Sequence, residues 1–428
     1  MSIRRTPSFF AVLLLFVVLF VAFESLPIGG RNLCLAASEA PQRIRWLVSA
    51  PPFSPQLERE LTAIVREFNQ ISSKAEVEVH LRGDDYSTLR ELSVASLAGS
   101  LPDIATLEPS ESDALNSLSL SRPKALPEIK SLNLNPIYFE KSHPEFIPFF
   151  RTLPVLVIDQ EILVRIGVDP KQLPGDWSSF LQLTQKLIQS GAALDDSQGQ
   201  FALALSLTGA RGLFALEALL AKPLWIYESK KIVIPSTLTS NLEQIRALFR
   251  SPRRAKSGLG WEQAIQAFLE RKSPLLVTTT DALPMISGRS TFRWTAVPLP
   301  QVKGGNSRLA TGADVVVLKN SPALWEFLRY LYSPRVASRW TTAGGLLPLH
   351  SSWIQSAEWK HAAEAQESLL TLLRDFTTSP VRIEIRSSCQ EIMRIRSQWI
   401  AELPLFWQDP TEKSPSAGIL ARIGAALH

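Results

Sequence analysis

Between residues 43 and 107 the apolar pattern changes period four times, and this alternation leaves few folds open to the chain. Residues 43–49 alternate, with Ile44, Trp46 and Val48 on one side, as a half-buried strand does. Ser54 is placed to cap a helix that Pro55 opens, and Leu57, Leu61, Ile64, Val65 and Phe68 recur as one helical stripe. Val77, Val79 and Leu81 return to period two. A second helix is expected over 86–98, closed by Gly99 in a left-handed cap, and a short apolar strand within 101–107. Strand, helix, strand, helix, strand is the signature of a parallel α/β sheet. The grammar resumes beyond the Pro-rich stretch 121–154, with a strand at 155–158 and a helix at 177–190 led by Asp176 or Ser178. Weaker alternations run to about 302, then come a buried strand at 315–318, a helix at 322–331 and a mainly helical remainder. At 428 residues the chain exceeds the ~250–300 at which a single core stops growing, so two lobes are expected.

Arg4 and Arg5 precede an unbroken apolar run, 9–23, that stops at Glu24. As a helix this run is about 22 Å long, short of the ~20 residues that span a bilayer core, and it suits the central region of a secretory signal. Ala36 and Ala37 place cleavage within 34–38, giving a signal peptide of residues 1–36. The long stretch from Glu24 to Arg31 leaves an uncleaved anchor as the alternative. Arg31, Asn32 and Leu33 before Cys34 do not make a lipidation signal, and Thr6-Pro7 after the arginine pair does not make a twin-arginine signal. The general secretory route and a periplasmic location follow as the reading.

Cleavage leaves Cys389 as the one cysteine, which excludes a disulfide scaffold. The modest excess of Lys and Arg is dispersed, so no nucleic-acid partner is expected. There is no GxSxG, HExxH, CxxC or P-loop, and the histidines at 80, 143, 350, 361 and 428 show no metal-ligand spacing. The chain is read as no enzyme, without metal or cofactor. Abundant carboxylates keep a two-carboxylate glycoside hydrolase open as the rival reading.

Four motif patches carry a family resemblance. The first holds Glu67-Phe68-Asn69, Gly83-Asp-Asp-Tyr86 and Leu97-Ala-Gly-Ser-Leu-Pro-Asp103. The second runs from Pro148-Phe-Phe-Arg-Thr-Leu-Pro-Val-Leu156 through Ile166-Gly-Val-Asp-Pro170 to Pro174-Gly-Asp-Trp177. The third holds Phe268, Leu275-Leu-Val-Thr-Thr-Thr280 and Gly312-Ala-Asp-Val-Val-Val-Leu318; the fourth Ala323-Leu-Trp-Glu-Phe-Leu328, Trp340 and Gly344-Gly-Leu-Leu-Pro348. In this order they resemble the extracellular solute-binding proteins of ABC importers, in the carbohydrate-binding group that includes the maltose- and glycerol-3-phosphate-binding proteins.

The resemblance implies an α/β, two-lobed periplasmic-binding-protein fold with a hinge and an interlobe ligand cleft. The lobes are expected as 41–151 plus 313–349 and 152–312 plus 350–428, with crossings near 151–154, 311–314 and 348–352. The implied function is capture of a small polar solute, a sugar or sugar-phosphate, by a monomer that delivers it to ABC importer permease subunits. A binding-protein fold reused as a sensor or scaffold is the further alternative. Tyr86 matches a cleft tyrosine of that group. Glu108, with Glu111 and Asp113 as competitors, takes the place of a hydroxyl-binding glutamate past the third strand. Thr152 aligns with a serine at the crossover, beside Arg151 where the group has a small polar residue. Asp281 falls among ligand-contacting serines, Gly312 on a glycine whose backbone meets the ligand, and Arg396 on a phosphate-holding arginine, although a solvated arginine-rich face reads as well there. Leu346 stands where an aromatic platform is common. Trp177, Trp325 and Trp340 are read as core, and Trp225 and Trp294 as cleft candidates.

Overall fold

The computed structural model describes residues 40–364 except 50–54, 83–84, 108–114, 116–119, 121–122, 124, 140–144, 170–172, 191–199, 208, 221–223, 229–230, 250–254, 257–258 and 301–307; beyond 364 it describes 372, 381–382, 394–395, 397–402, 418 and 420–423. The leader lies outside these residues. Among the described residues no helix is long and apolar enough to cross a membrane.

The opening alternation folds as its periods dictate. Strand β1 (Gln42–Ser49) leads to helix α1 (Pro55–Ile71), strand β2 (Ala75–Arg82), helix α2 (Asp85–Leu97) and strand β3 (Ile104–Leu107). All five stripe residues of α1 are buried. Gly99 takes φ +64 after α2, and Ser100 N–H closes on the Ala95 carbonyl at 2.8 Å, the left-handed cap that a Cβ would strain. The second half supplies β4 (Ile147–Thr152), β5 (Pro154–Asp159), helix α3 (Trp177–Gln189), β6 (Leu203–Leu205), helix α4 (Trp261–Leu269), β7 (Leu275–Thr279), β8 (Trp294–Pro298), β9 (Thr311–Val317) and helices α5 (Pro322–Leu331) and α6 (Pro334–Ala343). Asp176, not Ser178, caps α3, accepting from Ser179 N–H at 2.8 Å in a capping box.

Two principal sheets result, ordered β2-β1-β3-β9-β4 and β8-β5-β7-β6. The first is mixed rather than wholly parallel. β1 runs parallel to β2 and β3, whereas β9 is antiparallel to both β3 and β4 because it enters from the second sheet. Strand β4 lies at the end of the Pro-rich stretch, where Pro148 interrupts the alternation, yet all six of its residues are buried.

Aromatic packing fixes the first sheet against its helices. Trp46 is fully buried, edge-on to Phe149 and Phe327, and its indole N–H donates to Thr106 Oγ1 at 2.9 Å. Trp340 stacks on Phe149 at 5.0 Å and meets Trp353 edge-on at 6.0 Å, so the chain beyond 350 still packs on α6. Trp177, Trp325 and Trp340 are core residues, as read.

Arg339 on α6 clamps α1 through a bidentate contact with Glu67, 2.7 and 2.8 Å, and a contact with Glu60 at 2.6 Å. The Arg339 hydrogen bonds hold the Glu67 carboxyl below the usual glutamate range. A depressed carboxyl stabilises the fold above its unfolded value, about 4.3, and loses that contribution as pH falls through the folded value. Glu67→Gln should therefore melt lower than the wild type at pH 7, with the difference closing below about pH 4 in a series of thermal melts.

Candidate functional site

The two sheets are joined where β4 runs into β5 with Leu153 alone between them. Because β4 is parallel to β1 through β3, it delivers the chain to the edge where their carboxyl ends lie. Pro154 pairs with Thr279 at the end of β7, and β6 runs parallel to β7, so their carboxyl ends lie at this crossover too. Open α/β sheets bind ligands outside these edges.

Backbone contacts bind the junction tightly. Thr280 N–H donates to the Leu153 carbonyl at 2.9 Å, and Leu153 N–H to Thr280 Oγ1 at 3.3 Å. Leu347 N–H donates to the Arg151 carbonyl at 2.8 Å, bringing in the turn after α6. Gly345 in that turn has φ +62, and a Cβ there would stand 2.2 Å from the Thr280 carbonyl oxygen. Leu346, which stands where an aromatic platform is common, is buried beside it.

Of the candidate residues, the structure brings three to the crossover. Thr152 ends β4, buried, in register with Thr311. Gly312 lies opposite Arg151 within β9, and a Cβ on it would meet the Phe150 carbonyl oxygen at 1.9 Å. Asp281 sits in the 3-10 turn Thr280–Ala282 at the end of β7, half-buried, accepting from Thr279 Oγ1. Trp225 is elsewhere: it is buried in the second sheet's core with Leu219, Leu224 and Leu238. Trp294 lies part-exposed at the start of β8. Tyr86 is the second residue of α2, but its side chain, like Glu108, Glu111, Asp113 and Arg396, lies outside the described residues.

Reading by residue type missed the strongest polar feature of the junction. Arg151 is completely buried on β4 and pairs with Asp314 on β9 at 2.5 Å. Its guanidinium also donates to the carbonyls of Phe150 at 2.9 Å, Ala313 at 2.8 Å and Tyr138 at 3.0 Å. Burial pushes the Tyr138 phenol up to about 12 against the pull of Arg151. Burial and then the Asp314 charge raise Tyr332 well above its ordinary value, and its hydroxyl donates to the Pro148 carbonyl at 2.8 Å. Arg151 thus ties strands together and is spent on the scaffold. A lone cation in Phe-Phe-Arg-Thr-Leu and a lone anion in Gly-Ala-Asp-Val-Val, both in apolar strands, were the signal for such a pair. Hydroxyls, a carboxylate and backbone groups thus gather at the junction, the kinds of group by which pockets fix polar ligands.

The family model described as bacterial extracellular solute-binding protein matches residues 54–338, more than half of the chain. No curated protein sequence matches it. Among solved structures, an ABC transporter solute-binding protein from Agrobacterium radiobacter K84 in complex with ribitol has a TM-score of 0.70 at 15% identity, covering 90% of this chain and 98% of that one. The maltotriose-binding protein of Thermus thermophilus, bound with maltotriose, has a TM-score of 0.67 at 15% identity over 90% and 100% of the two chains. UgpB from Mycobacterium tuberculosis in complex with glycerophosphocholine has a TM-score of 0.67 at 15% identity over 90% and 98%. At these identities the likeness is one of fold: the two-lobed binding-protein architecture.

Proposed function

The chain belongs to the bacterial extracellular solute-binding proteins, and from that premise we propose that it is the periplasmic solute-binding component of an ABC importer. It captures a sugar, polyol or glycerophosphate-like solute between its lobes and passes it to a membrane permease. The observation that carries this reading is the meeting of both sheets' carboxyl edges at Leu153, beside hydroxyls and a carboxylate. The kinds of ligand named for the similar structures, ribitol, maltotriose and glycerophosphocholine, set the solute class. Export follows from the 9–23 leader. For the lobes we place the return crossing before Thr311, because Thr311 and Gly312 pair inside the first sheet, and we assign 351–364 to the first lobe on the packing of Trp353 against Trp340.

Closure about the crossover lets a solute touching both lobes favour the closed state. Thermal melts with maltotriose, ribitol and glycerophosphocholine test the reading. A ligand at a hundredfold excess over its Kd should add about 2.7 kcal/mol of stability. Unshifted melts with all three at millimolar concentration would sink it.

A further inference from the structure

The second sheet carries two buried hydroxyls that the scaffold does not use. Ser206 follows Leu205, the residue that ends β6 in parallel register with Val277 of β7, so Ser206 stands beside Thr278. Side chains of neighbours in register point to the same face of a sheet. Ser206 is 4% exposed and Thr278 5%, and neither Ser206 Oγ nor Thr278 Oγ1 has a hydrogen-bond partner. Several other buried hydroxyls among the described residues are satisfied. Thr341 donates to the Ala337 carbonyl at 2.7 Å, Ser273 to that of Leu275 at 2.7 Å, and Thr106 accepts from Trp46. An unpaired buried hydroxyl costs roughly 1–3 kcal/mol, so two side by side call for an explanation. Across β7 the partner of Thr278 is Val155, which supplies only methyl groups.

Their position supplies the explanation. Both stand at the carboxyl ends of β6 and β7, and Thr278 is two residues before Thr280, which is hydrogen-bonded to the crossover. We propose that Ser206 and Thr278 form a two-hydroxyl seat in the second lobe that receives one hydroxyl of a neutral sugar or polyol. Neighbouring strands are about 4.8 Å apart, which lets a single ligand oxygen lie within about 2.8 Å of both. A hydroxyl donates to one and accepts from the other, so all three groups are satisfied. The two side chains bring no charge to bind a phosphate or an ammonium group. Access requires the lobes to part, since both oxygens are shut off from solvent in this conformation. The seat rests on the solute-binding reading above and narrows it from polar solutes at large to neutral polyhydroxy compounds.

Calorimetric titration of the purified chain with ribitol, maltotriose and glycerophosphocholine, with melts run alongside, tests the seat. Thr278→Val and Ser206→Ala should each weaken binding of the preferred neutral probe about tenfold. Neither should lower the melting temperature, because replacing an unpaired buried hydroxyl by a group of similar shape leaves no new orphan. Thr278→Ser should restore most of the affinity. Variants that bind the neutral probe as tightly as the wild type would overturn the seat while leaving the solute-binding reading intact. Preference of the wild type for glycerophosphocholine would overturn its neutral specificity, and a wild type that binds none of the three would bring down both.

Discussion

Arg151→Met should lower the unfolding free energy by about 3–5 kcal/mol, the cost of removing one partner from a buried ion pair. Both side chains of the Arg151–Asp314 pair are almost wholly buried, at 1% and 2% exposure. The methionine would leave the Asp314 carboxylate without its guanidinium and take a donor from the carbonyls of Phe150, Ala313 and Tyr138. The double variant Arg151→Met, Asp314→Leu should recover much of the loss, since an apolar pair of similar volume removes the buried charge altogether. Urea titration measures both. A single variant within about 1 kcal/mol of the wild type would show that the pair does not hold β4 to β9. Because the pair spans the strands that lead into and out of the second sheet, its loss should also broaden the unfolding transition if the two sheets then unfold separately.

Gly312→Ala is the second large effect. The new Cβ would stand 1.9 Å from the Phe150 carbonyl oxygen and 3.0 Å from Arg151 Cα. Both are backbone atoms, so no side-chain rotation relieves the overlap and β9 must move off β4 where the ladder already shifts register, between Ala313 and Asp314. We expect a loss of about 3 kcal/mol or more, at the upper end for overpacking. Gly175→Ala is the control: a Cβ there meets nothing within 4 Å, and the change should stay within about 0.5 kcal/mol. A Gly312→Ala protein as stable as the Gly175→Ala one would contradict the close approach. Should the Gly312 backbone also meet ligand, affinity would fall further than the melt accounts for.

The sequence was most legible where one period dominated. The 43–107 alternation gave three strands and two helices within a few residues of their bounds, because the strands and the first helix had a clean face or stripe and Gly99 closes the second helix. Direction in the sheet was not legible. Val315 to Val317 read as a buried strand, and nothing local says that β9 returns antiparallel from the other sheet. β4 shows no clean period, because Pro148 and Arg151 break its apolar run and draw on distant partners, Tyr332 and Asp314; only the family resemblance marks a crossover strand there. The same holds for the site. Thr152, Asp281 and Gly312 came together at the crossover, since strand order places them there. Trp225, expected to line the cleft, packs in the second sheet's core instead, as large aromatics more often do. Ser206 and Thr278 look like ordinary strand residues in sequence; only their burial without partners marks them.

Calorimetric titration of the purified protein with maltotriose, followed by chromatography of the recovered sugar, tests the central claim most directly. A solute-binding protein predicts saturable heat at one sugar per chain, with the maltotriose recovered intact. Absence of heat at millimolar sugar, or release of glucose, would contradict it.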